Sequence, residues 1–180
     1  MVAPCLLCGS PNLDPIYQPI GTRRGITVYV CTGCGLLQSH PVGVKGDGVV
    51  RASADADFGG LRTGKIGRAA PNLDFLRRNV PRFKPVRVLD VGASRGVFAK
   101  VLREWLPDSE IGAIEPDTSL EQYWPVDNQV IWHKIEDIPL ERDYYNLCYL
   151  CHTLEHFSDP LSTLKKLRAA LTPNGYLLIE

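Results

Sequence analysis

The sequence predicts an α/β fold, a doubly wound parallel sheet preceded by a small β-ribbon. Three observations support this prediction. An aliphatic, β-branched run over residues 86–91 ends in a turn that contains Gly92 and Gly96, and a segment of helical periodicity follows at once. Two further strand-like apolar runs come next, at residues 111–114 and 130–132. Two Cys-x-x-Cys-Gly motifs lie upstream of all these segments, within the first 40 residues.

Residues 1–40 are predicted to form a zinc ribbon. The two-residue gap in each motif lets both thiolates reach one ion, and four thiolates complete a tetrahedral zinc site. A ribbon of this size has almost no core, so the metal must supply much of its folding energy. Disulfides or a redox pair are the alternatives, which a cytosolic setting disfavours. The zinc is expected to be structural, with four ligands: Cys5, Cys8, Cys31 and Cys34.

A connector and then a larger domain are predicted after the ribbon. Residues 41–70 are rich in glycine and alanine and show little periodicity, which indicates a flexible connector or lid. Pro71 is predicted to open a helix at the start of a core domain that spans residues 71–180. Leu73, Leu76 and Val80 share one face of this helix.

Two further helix starts can be read from capping residues. Asp117 or Thr118 is predicted to cap a short helix that Pro125 stops. Asp159 is a favourable N-cap, because Pro160 follows it at the first helical position.

The glycine turn itself points to a bound nucleotide-like cofactor, because a strand, a glycine turn and a helix hold such ligands in open α/β sheets. The turn resembles that of the short-chain dehydrogenases, but Phe98 stands where that family has a third glycine, and no tyrosine has a lysine four residues later. It is more similar to the first motif of class I S-adenosylmethionine (SAM)-dependent methyltransferases, Asp-x-Gly-x-Gly-x-Gly. Asp90, Gly92 and Gly96 match that motif, and Ser94 takes the middle glycine position.

Carboxylates after the next two strands extend this resemblance. Glu115 ends the second strand, where an acidic side chain can accept hydrogen bonds from both ribose hydroxyls of an adenosine. The methyltransferase resemblance implies that a carboxylate after the third strand faces the adenine amino group. Asp137 is the expected residue, and Glu136 is the alternative.

The last third of the chain also resembles the methyltransferases. Residues 143–160 are similar to the family's fourth strand and Leu-Glu-His signature, with Asn146 where the family usually has aspartate. Residues 171–180 are similar to its Pro-x-Gly turn and fifth strand. The resemblance covers residues 72–180 and implies a Rossmann-like sheet of methyltransferase type, truncated after the fifth strand.

The predicted catalytic residues follow the fourth strand. Transfer to an acceptor that must lose a proton needs a base. His156 lies where ligands bind in such sheets, and its unperturbed pKa near 6.5 suits this role, whereas a pocket-wall role is the alternative. Glu155 could orient it. His152 is a weaker candidate for the base, and it is expected to bind the cofactor instead. Cys148 and Cys151 are predicted to be core cysteines on opposite faces of a strand.

The combination of ribbon and core suggests an acceptor class. Together with the core, the ribbon string Tyr29-Val-Cys-Thr-Gly-Cys-Gly-Leu-Leu-Gln38 resembles the sugar C-methyltransferases, which act on nucleotide-linked keto-deoxysugars. A small-molecule acceptor is therefore expected, either such a sugar or another polysaccharide or natural-product precursor. Two alternatives stay open. One is a non-catalytic ribbon module with a degenerate cofactor-binding core, and the other is an RNA methyltransferase.

The composition of the chain limits the classes of binding partner that are expected. The chain has 180 residues, of which 44% are hydrophobic and 22% charged, and its net charge is zero. This profile is typical of a soluble globular protein and disfavours a nucleic-acid partner. Neither a membrane-spanning run nor a signal-peptide pattern is seen, so a cytoplasmic location is expected. The apolar strand at residues 177–179 would present an unpaired edge, so a partner or a further C-terminal segment is expected to cover it.

Overall fold

The computed structural model describes residues 2–20, 25–40, 58–80, 82–124 and 129–180, with the backbone alone for residues 58–68. The chain divides into two compact units. The first comprises residues 1–48 and 155–164, and the second comprises residues 49–154 and 165–180. The predicted connector lies outside the described residues up to residue 57.

The first unit contains a three-stranded antiparallel sheet. Its strands are β1 (Leu13–Tyr17), β2 (Thr27–Cys31) and β3 (Leu37–His40), with β2 in the middle. The side chain of Gln38 in β3 is buried, and its Oε1 accepts a hydrogen bond from the Leu6 amide at 2.9 Å. This bond connects the loop of the first cysteine pair to the sheet.

The second unit is built on a five-stranded parallel sheet. Its strands are β4 (Arg87–Val91), β5 (Glu110–Ile114), β6 (Gln129–Ile131), β7 (Tyr145–Leu150) and β8 (Leu171–Ile179). Across the sheet the strands follow the order β6-β5-β4-β7-β8. The direction in which successive strands are added therefore reverses between the central strand, β4, and its neighbour β7. This confirms the predicted doubly wound α/β fold. Ligands bind at such a reversal, outside the carboxyl ends of the strands.

In the part of the chain that the structure describes, three α-helices accompany the strands: α1 (Phe58–Asn79), α2 (Val97–Trp105) and α3 (Pro160–Ala170). The prediction that Pro71 opens the first helix was wrong, because α1 begins at Phe58 and Pro71 lies inside it. A proline removes one helical hydrogen bond but does not always end a helix, and the glycine-rich segment before it has no apolar periodicity to reveal the earlier start. Among the described residues, no helix is both long and apolar enough to cross a membrane.

Both predicted caps are confirmed. The Asp117 carboxylate accepts a hydrogen bond from the Ser119 amide at 3.1 Å and caps the 3₁₀ turn Thr118–Tyr123. Pro125, the predicted stop, lies outside the described residues. The Asp159 carboxylate accepts from the Ser162 amide at 3.0 Å, at the start of α3.

The core of the second unit joins α1 and α2 to the sheet. Phe98 of α2 stacks on Tyr149 of β7 with ring centroids 3.6 Å apart. Leu73 and Leu76, which were predicted to share a helix face, are both buried in this core, and Val80, just after α1, packs against it while partly buried. This packing fixes the position of α2, and therefore of the glycine turn that precedes it.

Candidate functional site

The glycine turn after β4 has three residues in the left-handed region. The φ angles are 72° at Gly92, 52° at Ser94 and 69° at Gly96. The amides of Gly92 and Ala93 both donate to the Ile114 carbonyl, at 2.8 and 3.1 Å. The turn is therefore fastened to the end of β5, and glycine serves two positions that other residues occupy only with strain.

Thr153, which follows β7, lies against Gly92. A Cβ at Gly92 would collide with the Thr153 side chain, whose Cγ2 would lie 2.6 Å away. The Thr153 hydroxyl is within 3.1 Å of the Val91 carbonyl, to which it donates. This hydrogen bond thus connects the segment after β7 to the end of β4. Sequence analysis missed this residue, because nothing in its local pattern marks the contact.

Trp124 covers the other glycine. A Cβ at Gly96 would lie 2.9 Å from the indole ring, and the indole N–H donates to the Ser94 carbonyl at 2.8 Å. Trp124 was also missed, because its partner Ser94 lies 30 residues away and the local sequence does not mark the contact. The two glycines are therefore close to side chains from two distant segments.

Both predicted strand-end carboxylates, Asp90 and Glu115, are buried near this turn. Asp90 lies in β4 between its register partners in β5 and β7, Ala113 and Tyr149. The Glu115 carboxylate accepts from the Ser94 amide at 2.7 Å, and its second oxygen accepts from the amide two residues along at 2.9 Å. The structure therefore brings Glu115 into direct contact with the glycine turn.

The predicted adenine-facing carboxylates lie beyond β6. Glu136 and Asp137 are exposed in the 3₁₀ turn Ile135–Asp137. The Lys166 ammonium fixes this turn by donating to the Ile135 and Ile138 carbonyls at 2.7 and 3.0 Å. Because β6 is the neighbour of β5, the turn lies at the same edge of the sheet as the end of β5.

The three predicted residues after β7 fall into different surroundings. His152 is exposed and belongs to the second unit, near Cys151. Glu155 and His156 belong to the first unit, in the 3₁₀ turn Leu154–His156, and both are exposed. Their roles as orienting residue and base stay predictions.

The two cysteines predicted as core residues also differ. Cys148 is fully buried, and burial raises the pKa of its thiol to about 12. Cys151, in contrast, is partly exposed, and its thiol donates to the Glu180 carboxylate at 3.3 Å. The prediction was wrong for Cys151 because β7 ends at Leu150, one residue before it, so the strand no longer buries it.

The four ribbon cysteines converge. Their sulfur atoms all lie within 4.8 Å of one another, and the pairs Cys5–Cys34 and Cys8–Cys31 are 3.6 Å apart. All are free thiols. A tetrahedron with zinc–sulfur bonds of about 2.3 Å has sulfur–sulfur edges of about 3.8 Å, so the spacing fits one zinc ion.

The two cysteine loops share one backbone geometry. The Gly9 amide donates to the Cys5 carbonyl at 2.9 Å, and the Gly35 amide donates to the Cys31 carbonyl at 2.8 Å. Both glycines are left-handed, with φ of 71° and 78°. The glycine after each pair therefore lets each loop curl around its sulfurs.

Asn146 proves compatible with the fold. Its Oδ1 accepts from the amides of Val86 and Arg87 at 3.0 and 2.9 Å, at the start of β4. An amide oxygen performs this role as an acceptor, so the departure from aspartate leaves the strand anchored.

Ser94→Gly is expected to stabilise the protein. Ser94 holds a left-handed φ of 52°, which costs a residue with a Cβ about 1 kcal/mol and costs glycine little. Ser94→Ala is the matched control, because it also loses the hydroxyl but keeps the Cβ. Urea unfolding should give the glycine variant a free energy of unfolding about 1 kcal/mol above that of the alanine variant. Equal stabilities of the two variants would contradict the strain argument.

Comparisons with known proteins place this geometry in a family. Residues 65–180 match the family described as "Methyltransferase domain". A relative named methyltransferase str2, from Strobilurus tenacellus, is 27% identical over 100 residues, which are 54% of this chain and 36% of that protein. The chain therefore spans about a third of this curated relative.

Solved structures share the fold. A SAM-dependent methyltransferase from Leishmania major is 24% identical with a TM-score of 0.56, over 73% of this chain and 56% of that one. The plantazolicin methyltransferase BpumL was solved with a triazolic desmethylPZN analogue and S-adenosylhomocysteine (SAH). It is 16% identical with a TM-score of 0.55, over 66% of this chain and 46% of that one. The predicted methyltransferase-type, Rossmann-like fold is thus confirmed. The chain belongs to the methyltransferase domain family.

Proposed function

We propose that the protein binds SAM at the glycine turn and takes part in methyl transfer to a small organic acceptor. The observation that carries this proposal is the turn itself. Its two left-handed glycines, Gly92 and Gly96, lie at the chain reversal of a parallel sheet, next to the buried carboxylate of Glu115. Nucleotide-like ligands bind at such a reversal, outside the carboxyl ends of the strands, and a carboxylate at the next strand end suits ribose hydroxyls.

The proposed cofactor contacts follow the strand order. Asp90 near the end of β4 and Gly92, Ser94 and Gly96 in the turn after it contact the cofactor, and Glu115 at the end of β5 accepts hydrogen bonds from the ribose. The exposed Asp137, after β6, accepts one from the adenine amino group. When bound, SAM supplies an electrophilic methyl group on a sulfonium. The protein's contribution is to hold acceptor and donor close and in line.

Deprotonation of the acceptor is assigned to residues after β7. His156 serves as base and Glu155 orients its ring, whereas His152 at the sheet edge contacts the cofactor. The acceptor class that we propose first is a nucleotide-linked keto-sugar, on the similarity of the ribbon and core to sugar C-methyltransferases. The similarity in fold to BpumL, which was solved with a triazolic desmethylPZN analogue, makes an azole-containing compound of that kind the second class to test.

Zinc is proposed as the second cofactor. The convergence of four free thiols supports it, and a site of four thiolates leaves no open position for chemistry. Its role is therefore to fold the ribbon.

Glu115→Gln tests the cofactor site. The substitution keeps the shape but loses the charge that strengthens hydrogen bonds to ribose, each of which contributes about 1.5–3 kcal/mol when an ionised group takes part. We expect SAM affinity to fall by about 10- to 100-fold in isothermal titration of zinc-replete protein. Glu104→Gln, on the exposed face of α2, is the control and should bind as wild type does.

Thermal unfolding of both variants separates lost binding from lost structure, because Glu115 also holds the turn. An unchanged dissociation constant in folded Glu115→Gln would overturn the ribose assignment. Absence of SAM binding to the wild-type protein, with zinc bound and the second unit folded, would overturn the proposed function for this chain.

A further inference from the structure

A second group of potential metal ligands lies in the other unit, at the carboxyl edge of the parallel sheet. We name Cys151, His152 and Glu180 the edge cluster. One thiol sulfur, one imidazole nitrogen and one carboxylate oxygen of these residues all lie within 4.8 Å of one another. This mixture of ligand types differs from the four thiols of the ribbon, so the two groups should differ in affinity and in spectroscopic signature.

The strand pairing brings the edge cluster together. The ends of β7 and β8 are aligned through the register pair Leu150 and Ile179. The Glu180 amide donates to the Leu150 carbonyl at 2.9 Å, and the His152 amide donates back to the Glu180 carbonyl at 3.1 Å. The ladder therefore continues past the two strands and fixes the backbone of residues that are far apart in sequence.

The side chains of Cys151 and His152 lie close together although the two residues are adjacent in sequence. In a continuing strand, Cys151 and His152 would point to opposite faces. His152 instead has a φ of 50°, a left-handed conformation that is uncommon outside glycine but enriched in asparagine, aspartate and histidine. Such strain collects at functional sites. Here it accompanies the approach of the imidazole to the Cys151 thiol.

Two further side chains orient the carboxylate. The Asn72 side-chain amide donates to Glu180 Oε2 at 2.6 Å, and the Tyr149 hydroxyl donates to the same oxygen at 3.3 Å. Tyr149 is itself held by its stack on Phe98. Ligating carboxylates in metal sites commonly have such outer hydrogen bonds, which fix their direction.

We propose that Cys151, His152 and Glu180 bind one divalent cation of borderline softness, for which Zn²⁺ is the probe. Thiolate, imidazole and carboxylate are the ligands that zinc takes, and three protein ligands leave a fourth tetrahedral position open. The exposure of His152 and Glu180 gives an ion access from solvent. If the protein is a methyltransferase as proposed above, the open position could take a lone-pair donor of the acceptor, because ligands bind at this edge of the sheet.

The test is zinc stoichiometry by competition with a chromophoric chelator, on the whole chain under reducing conditions. Wild type should bind two equivalents, a tight one at the ribbon and a weaker one at the edge cluster. Cys151→Ser and His152→Asn should each lose the weaker equivalent and keep the tight one. Asparagine tolerates the left-handed backbone, so this second variant should fold. His133→Ala, an exposed histidine elsewhere in the same unit, is the control and should keep both equivalents.

Cobalt gives an independent readout. With zinc already in the ribbon, added Co²⁺ should produce the sulfur-to-cobalt absorption of a single thiolate, and Cys151→Ser should lack it. A single zinc equivalent in wild type, or a weaker equivalent that survives in both variants, would overturn the edge-cluster proposal. Neither readout needs SAM or an acceptor, so its failure is distinct from failure of the proposed function.

Discussion

Gly92→Ala is expected to weaken SAM binding by about 100-fold. The substitution has two separate costs. A φ of 72° penalises any Cβ by about 1–2 kcal/mol, and the added carbon would collide with Thr153. To relieve the collision Thr153 must move, which breaks its bond to the Val91 carbonyl and shifts the turn. A combined cost of about 3 kcal/mol at the site corresponds to a loss of about 100-fold in affinity.

A matched control lies in the neighbouring strand. Gly112 is in β5, and a Cβ there would meet Leu89 Cδ1 at 3.7 Å, an ordinary contact. Gly112→Ala should therefore bind SAM as wild type does and unfold at a similar urea concentration. Thr153→Ala combined with Gly92→Ala should recover part of the lost affinity, because it removes the collision but leaves the backbone strain. Equal affinities in Gly92→Ala and Gly112→Ala, measured by titration calorimetry, would contradict the proposed cofactor site.

The order of elements could be predicted from sequence because each depends on neighbours along the chain. A strand, a glycine turn and a periodic helix are local patterns, and a series of them permits few arrangements other than a doubly wound parallel sheet. The cap at Asp117 was predictable for the same reason, since its partner is two residues away. Glu115 was identified by its place at a strand end.

The side chains around the turn could not be predicted, because their partners are distant in sequence. Thr153 meets Val91 across 62 residues, and Trp124 meets Ser94 across 30. Neither pair produces a periodic pattern in the amino-acid sequence. The edge cluster depends on the register of β7 against β8 and on one left-handed residue, and both are properties of the folded chain. Cys151 was misassigned for this reason, since alternation on a strand applies only while the strand continues.

Removal of zinc is expected to unfold the ribbon. Among its described residues, only Cys5, Cys31 and Gln38 are buried, so two of the three buried residues are proposed metal ligands. The apolar area removed from water is far too small to offset the entropy of ordering the chain. Structural zinc binding contributes about 10–16 kcal/mol in comparable small domains, which is enough to decide whether this one folds.

Amide exchange read by NMR measures the effect, with a strong chelator added to reduced protein or with Cys31→Ser. Amides of β2 and β3 should lose protection, while amides of β4 and β7 keep theirs, because the sheet of the second unit has its own core. Thr32→Ala, beside the cysteine but exposed, should leave the ribbon protected. Reductant added without a chelator distinguishes zinc from disulfides. A ribbon held by zinc should stay folded, because thiolates bind zinc when reduced, whereas a ribbon held by disulfides would unfold. Full protection of β2 in zinc-free, reduced protein would show that packing alone holds the ribbon.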